Sequence, residues 1–231
     1  MREIVLDTET TGFEPGEGDR IVEIGAVELF NHMPTGKTYH QYINPERSMP
    51  QGAFEVHGLG DEFLRDKPVF KKVGQAFLDF VGDATMVIHN AAFDMKFLNA
   101  ELGWAELSLL PNKQALDTLA IARKRFPGSP ASLDALCRRF GVDNSAREKH
   151  GALLDSEILA EVYLELIGGR QPGLVLSDSG RQAGGQDQTT SAWRAMPRPE
   201  PLTSRITEEE RAAHQAFVDK LGDAALWKSQ A

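Results

Sequence analysis

Cysteine is nearly absent from this chain. Cys137 is the only one in 231 residues. That excludes a disulfide framework and a zinc–thiolate centre, and it suits a reducing, cytoplasmic compartment. Cys137 lies in SLDALCRRF, a helix-like stretch, and reads as a small buried apolar side chain. Long apolar runs are also missing. None approaches the roughly 18 residues of a membrane-spanning helix, so no membrane is expected among the partners. No leader is expected either, because MREIVLD passes straight into a strand pattern. Positive charge is short, with a net charge of −9. Residues 1–167 hold 17 Lys and Arg against 26 Asp and Glu, while residues 168–231 hold eight of each. The whole negative excess therefore lies in the N-terminal part. Such a surface binds nucleic acid poorly on its own, because phosphate neutralisation supplies most non-specific affinity. Any work on a polynucleotide would need metal ions to offset the charge, or a partner to deliver the strand.

What is present is enough for one ordinary domain with an extension. Hydrophobic residues make up 41% of the chain, sufficient for a core. Dense apolar periodicity runs to about Ile167, which places a domain over residues 1–169. Residues 170–202 are rich in Gly, Gln, Ser, Asp and Pro and read as a flexible linker. Order resumes in the segment 203–231. Thr207 and Glu210 have capping-box spacing, and Ala213, Phe217 and Leu221, with Ala216 and Leu226, give a short amphipathic helix; it ends near Gly222, and Trp227 follows. A lone helix has no core, so its apolar face is expected to bind a partner.

Within the domain, EIVLDTE, RIVEIGAVEL and KTYHQYIN read as three strands of an antiparallel meander. Helical patterns follow near 52–57, 61–65 and 69–81. TMVIHN reads as a buried strand, and NAAFDMKFLNAEL, LDTLAIARKRF, ASLDALCRRFG and GALLDSEILAEVYLELI as helices. Strands first, then alternating helix and strand, predict an α/β fold with a mixed sheet flanked by helices.

Five polar residues in three segments carry the chemistry. Asp7 and Glu9 are two apart on a strand and so share a face. Two carboxylates aimed the same way repel unless a cation or proton lies between them. Thr10, Thr11 and Gly12 follow as a small polar turn where a ligand can come close. Asp94 falls in the first turn of a helix just beyond a strand's C-terminal end, a place ligand sites favour in α/β sheets. Asn90 is a candidate cap for that helix, and Phe93 and Phe97 are mainly core candidates. His150 and Asp155 are five apart, which on one helix leaves them about 140° out of line. They converge only if His150 lies on a loop before the helix, with Asp155 one turn inside, and Gly151 allows that break. Oxygen ligands for hard divalent cations, plus a base near neutral pH, are what a metal-dependent phosphodiesterase needs. His57 ends a short helix and can stack on or bond to a nucleotide. His32, His40 and His214 read as surface residues and His89 as structural. Glu23 and Glu28 read as solvated or paired, and Asp117 and Asp134 as residues of helix termini.

The order D-x-E, then D, then H-x-x-x-x-D resembles the DEDDh exonucleases. The flanking text IVLDTETTG, IVEIGAVE, VHGL, VIHNAAFD, SLDALC and HGALLD resembles the epsilon-subunit family of bacterial DNA polymerase III, the proofreading 3′–5′ exonucleases, from about Arg2 to Gly169. The tail layout is similar too. This resemblance implies a ribonuclease H-like fold and two Mg²⁺ or Mn²⁺ ions roughly 3.5–4 Å apart. It implies metal binding by Asp7, Glu9, Asp94 and Asp155, and His150 as general base. It implies a terminal-nucleotide pocket with Thr10, Thr11, the segment from Gly52 to His57, and Phe93, beside Asp7, Glu9 and Asp155. The family carries an acidic residue where Gly52 stands, so a contact there would be made by backbone. The implied partners are a DNA 3′ end, the alpha (polymerase) subunit docked by Phe217, Leu221, Leu226 and Trp227, and a small theta-like accessory subunit. Gln171, Leu174 and Leu176 resemble the short peptide by which bacterial proteins dock on the sliding clamp. A ribonuclease trimming RNA 3′ ends and a non-catalytic module on the same fold are the alternatives. The linker and terminal helix argue against the first, and the five intact polar residues against the second.

Overall fold

The computed structural model describes residues 1–145, 147, 149–169 and 206–222. The chain divides into two units, Met1–Leu176 and Ser177–Ala231.

In the first unit, β1 (Arg2–Thr10), β2 (Ile21–Phe30) and β3 (Met33–Tyr42) form the antiparallel meander. β4 (Thr85–Ile88) pairs in parallel with β1, and β5 (Ala115–Asp117) in parallel with β4. The sheet order is β3-β2-β1-β4-β5, so β1 is central, with an antiparallel neighbour on one side and a parallel one on the other. Two strand boundaries depart from the sequence reading. β3 begins at Met33 rather than Lys37, because Asn31 and His32 both take positive φ (50° and 66°) and close a two-residue hairpin. Pro34 is tolerated because β3 is an edge strand. β5 was hidden inside a helical pattern. Its last residue, Asp117, caps the following helix by accepting from the N–H groups of Leu119 and Ala120.

Helices cover both faces. α1 (Gln51–His57), α2 (Asp61–Leu64) and α3 (Phe70–Val81) lie between β3 and β4, and α4 (Ala91–Trp104) between β4 and β5. α5 (Thr118–Arg125), α6 (Leu133–Phe140) and α7 (Ala152–Leu166) complete the unit. The alternation along β1 decides the packing. Ile4 and Leu6 join Ile24, Ala26, Met86 and Ile88 against Phe77, Phe97 and Leu102 of α3 and α4. Val5 joins Val27, Leu29 and Val87 against Leu159, Ala160 and Tyr163 of α7. Each large side chain fully buried here contributes about 2–3 kcal/mol. A third cluster, containing Cys137, joins α5, α6 and α7. Glu23 and Glu28 are buried and paired, with His40 Nε2 at 2.7 Å and Arg2 Nε at 2.5 Å respectively.

One glycine sets the depth of α7. Gly25 pairs with Asp7 in the sheet, and the first turn of α7 rests directly on it. A Cβ there would lie 2.1 Å from Leu153 N and 2.2 Å from Ala152 C. Ser156 Oγ pins the approach by donating to Gly25 O at 2.8 Å.

In the second unit, α8 (Glu208–Lys220) starts with the expected capping box of Thr207 and Glu210. Phe217 and Leu221 are 59% and 47% exposed. Leu226 and Trp227, and the clamp-like residues Gln171, Leu174 and Leu176 in the stretch 170–202, lie outside the described residues. Among the described residues no helix is long and apolar enough to cross a membrane.

Candidate active site

The site forms where β1 ends. Asp7 and Glu9 lie on the face that carries α7, as the alternation of the strand requires. Gly25 lets α7 sit close, and Asp155, in its first turn, is only 2% exposed. Thr8 points the other way. Its hydroxyl donates to Asp94 Oδ1 at 2.7 Å, which ties the first turn of α4 to the same strand end. α4 reaches that position because Asn90, at its N-cap, turns the chain out of β4 in the left-handed region (φ 68°). The Asn90 side chain makes no capping bond, contrary to the sequence reading. Its backbone N–H instead donates to Asp117 Oδ1 at 3.1 Å.

Asp7, Glu9, Asp94, His150 and Asp155 line one cleft of about 470 Å³. Burial makes their negative charge costly. Asp7 is held well above the usual carboxylate range by burial, then by the carboxylates of Asp94, Glu9 and Asp155. Burial, with Asp155 next, pushes Glu9 up to about 8. Burial pushes Asp94 up to about 7, although the Thr8 hydroxyl works against the shift. Glu9 Oε1 is buried with no hydrogen-bond partner. Glu9, His150 and Asp155 each offer one ligand atom, and those atoms lie within 4.8 Å of one another. An orphaned carboxylate oxygen, a convergent donor set and carboxylates that hold protons too tightly all fit a divalent cation.

His150 stands before α7 and not on it. Gly151 is the extended N-cap residue, and the imidazole is 50% exposed. Its loop leans on α1. His150 N–H donates to Val56 O at 3.3 Å, and Lys149 Nζ lies 5.2 Å from the centre of the Phe54 ring.

A second cleft of about 590 Å³ adjoins the first and shares Thr8, Glu9 and Phe93 with it. Thr10, Thr11, Gly52 and His57 line it, as expected. The threonine hydroxyls are engaged inside the turn. Thr10 Oγ1 donates to Gly12 O at 2.6 Å, and Thr11 Oγ1 binds Asp19 Oδ1 at 3.0 Å. His57 Nδ1 accepts from Leu59 N–H at 3.1 Å, its Nε2 is buried with no hydrogen-bond partner, and burial lowers its basicity. A Cβ at Gly52 would meet nothing within 4 Å. Phe93 packs on Phe97, and Phe13, 83% exposed, stands edge-on to it.

Arg147 is the residue that sequence reasoning missed. It stands in the charged run that ends at His150, just before Gly151. Its guanidinium instead enters the carboxylate cleft and binds both oxygens of Asp155. Asp134, expected at a helix terminus, anchors the same guanidinium at 2.7 Å, while Ser132 caps α6. No spacing rule leads to Arg147. The signal available was electrostatic: four buried carboxylates require positive charge nearby.

Fold and site together define a nuclease of the exonuclease class, and the sequence profile of the family described as "Exonuclease" matches residues 4–163. Curated relatives match the whole length. The DNA polymerase III subunit epsilon of Rickettsia felis is 48% identical over 224 residues, covering 96% of this chain and 97% of that one. The subunit of the same name from Escherichia coli is 44% identical over 238 residues, covering 99% and 98%. The chain belongs to the exonuclease family and, within it, to the DNA polymerase III epsilon subunits. Among solved structures, the nuclease domain of 3′hExo, a DEDDh family member bound to rAMP, superposes with a TM-score of 0.62 at 21% identity, covering 72% of this chain and 91% of that one. A zinc-bound E. coli ExoI–ssDNA complex gives 0.64 at 18% identity, covering 74% and 41%. These likenesses establish the fold.

Proposed function

We propose that this chain is the proofreading 3′–5′ exonuclease of a bacterial replicase, removing mismatched nucleotides from DNA 3′ ends as 5′-mononucleotides. The observation that carries the reading is the cleft where Asp7, Glu9, Asp94 and Asp155 lie buried around one strand end, with a Glu9 oxygen unpartnered and His150 at the rim. These four carboxylates are assigned as the holders of divalent cations, Mg²⁺ or Mn²⁺. Bound there, the ions would stabilise the attacking and leaving oxygens of an in-line displacement at phosphorus.

The remaining steps belong to the chain's own side chains. His150, off the helix and half exposed, takes the proton of the attacking water. His57, kept neutral by burial and receiving Leu59 N–H at Nδ1, lines the terminal-nucleotide pocket with its ring. Phe93 offers a ring edge between the two clefts. Thr10, Thr11 and Gly52 shape the pocket through backbone, since both hydroxyls are engaged and Gly52 has no side chain. Asp7, Glu9 and Asp155 close the pocket on the metal side.

An acidic domain suits this task when it is tethered. A mismatched end has already lost pairing, and opening a stacked base-pair step costs about 1.4 kcal/mol, close to tenfold in population. The enzyme need only accept a frayed end and be held beside it. The proposed tether is α8, with Phe217 and Leu221 continued by Leu226 and Trp227, docked on the alpha subunit in the cytoplasm. Gln171, Leu174 and Leu176 are proposed to bind the sliding clamp, and a theta-like accessory subunit to bind the domain. The test is a 5′-labelled primer with a 3′ mismatch, incubated with the purified chain and Mg²⁺ or Mn²⁺. Stepwise shortening from the 3′ end with release of deoxynucleoside monophosphate is expected. An intact primer, or release of ribonucleotides alone from an RNA strand, would overturn the assignment.

A further inference from the structure

Arg147 holds the two groups on which the proposed chemistry turns. Its Nε donates to Asp155 Oδ1 at 2.5 Å and its Nη2 to Asp155 Oδ2 at 2.7 Å. The same Nη2 lies 2.8 Å from His150 Nδ1, and Nη1 donates to Asp134 Oδ1 at 2.7 Å. The side chain is 9% exposed, so these are not solvated surface pairs. Two consequences follow from charge and from donor and acceptor chemistry. A cation drawn to the four carboxylates must take an Asp155 oxygen, and both oxygens already hold N–H donors of a guanidinium whose charge repels the ion. A guanidinium has only donors, so His150 Nδ1 must be the acceptor. The proton of the neutral imidazole then sits on Nε2, and neither ring nitrogen keeps a free lone pair.

We propose that Arg147 is a placeholder cation that exchanges with the divalent ion: while it binds Asp155 and His150 the base is blocked, and its displacement onto Asp134 frees both. Asp134 is suited to be the pivot. It binds the third arm of the guanidinium, is half exposed, and is oriented by Asn144 Nδ2 at 3.1 Å. Arg147 itself lies between α6 and α7, outside any helix or sheet ladder, with its N–H donating to Asn144 O at 3.0 Å. Hydrolysis would thus be coupled to metal loading through one side chain, and the cleft would not carry four uncompensated acids before loading. This exchange rests on the metal-dependent reading above.

The test uses the full chain labelled with ¹⁵N-arginine, with the Arg147 Nε–H signal assigned by its loss in Arg147→Lys. Mg²⁺ is titrated in, and Mn²⁺ affinity is measured in parallel by calorimetry. The Nε–H signal should leave its carboxylate-bonded position in step with Mg²⁺ binding. Arg147→Gln should bind Mn²⁺ about tenfold more tightly, the scale of one charge-assisted bond no longer in competition. An Nε–H signal unmoved at saturating Mg²⁺ overturns the exchange while leaving the metal-dependent reading intact. Weaker Mn²⁺ binding by a folded Arg147→Gln variant also overturns it, since Arg147 would then be shaping Asp155 for the ion. No divalent-ion binding by the wild type would remove the exchange together with the reading beneath it. The wild-type titration, assigned through the charge-conserving Arg147→Lys, is independent of whether Arg147→Gln folds.

Discussion

Asp94→Asn should make the metal-free protein more stable, and only above about pH 4. Burial raises the Asp94 carboxyl from 3.8 to about 7 in the folded protein. Below pH 4 it is protonated whether folded or unfolded, and its titration contributes nothing. Between those values the folded state binds more protons, so stability falls as pH rises. Above pH 7 the penalty is complete and constant. The interval spans about three pH units, a ceiling of about 4 kcal/mol. Relaxation of the cleft should reduce that to about 2 kcal/mol. Asn is close in shape, carries no charge, and keeps an oxygen for the Thr8 hydroxyl, which now donates at 2.7 Å. Calorimetric melting in EDTA at pH 4, 5, 6, 7 and 8 measures the difference. The variant should match wild type near pH 4 and melt several degrees higher at pH 8, at about 2–4 °C per kcal/mol for a domain of this size. Saturating Mg²⁺ or Mn²⁺ should reverse the order, because the wild type gains binding free energy that the variant has partly lost. A melting difference independent of pH would show that Asp94 is not held out of its ordinary range, and the electrostatic account of the cleft would fail.

Four further outcomes are expected. Asp7→Ala should abolish nuclease activity while raising metal-free stability, whereas Asp155→Ala should abolish activity and lower stability, because it strands a buried Arg147; parallel melting and primer-degradation assays separate the two. His150→Ala should keep Mn²⁺ affinity within a few-fold and lower turnover about 10²–10⁴-fold, and a collapse of calorimetric affinity would make His150 a ligand instead of the base. Gly25→Ala should cost several kcal/mol in chemical denaturation and most of the activity, since its Cβ would overlap the backbone of Ala152 and Leu153. Phe217→Ala with Leu221→Ala should weaken binding to the polymerase subunit by about 2 kcal/mol or more while sparing hydrolysis of single strands, and equal co-purification with the polymerase would place the tether elsewhere.

What was legible in the sequence was what local pattern determines. The period of two along IVLDTE puts Asp7 and Glu9 on one face of β1, and they are there. The angular mismatch between His150 and Asp155 requires a break before α7, and the helix begins at Ala152. The capping box at Thr207 announces α8. What was hidden depends on residues far apart in the chain. Gly25 reads as an ordinary strand glycine until α7 is laid on it, more than a hundred residues later. β5 is three residues long, and only pairing with β4 separates it from the helix that follows. The start of β3 turned on positive φ at Asn31 and His32, which a loop-like composition disguised.

Arg147 belongs to neither group. Its position could not be read, yet the need for it could. Four acids in apolar contexts share one cleft in ionised form only with positive charge beside them. The unmatched charge of residues 1–167 gave no hint of where that charge would come from. A metal ion was the evident answer, and it is incomplete, because a protein must also fold before it is loaded. A guanidinium supplied from beside His150, the proposed base, meets that requirement with a group that, on the exchange proposed above, the metal displaces. Tight carboxylate pairing with no other duty would be better served by a permanent partner on a helix. That Arg147 instead stands outside any helix or strand, bridging Asp155, His150 and the outer carboxylate of Asp134, is what the proposed temporary occupant requires.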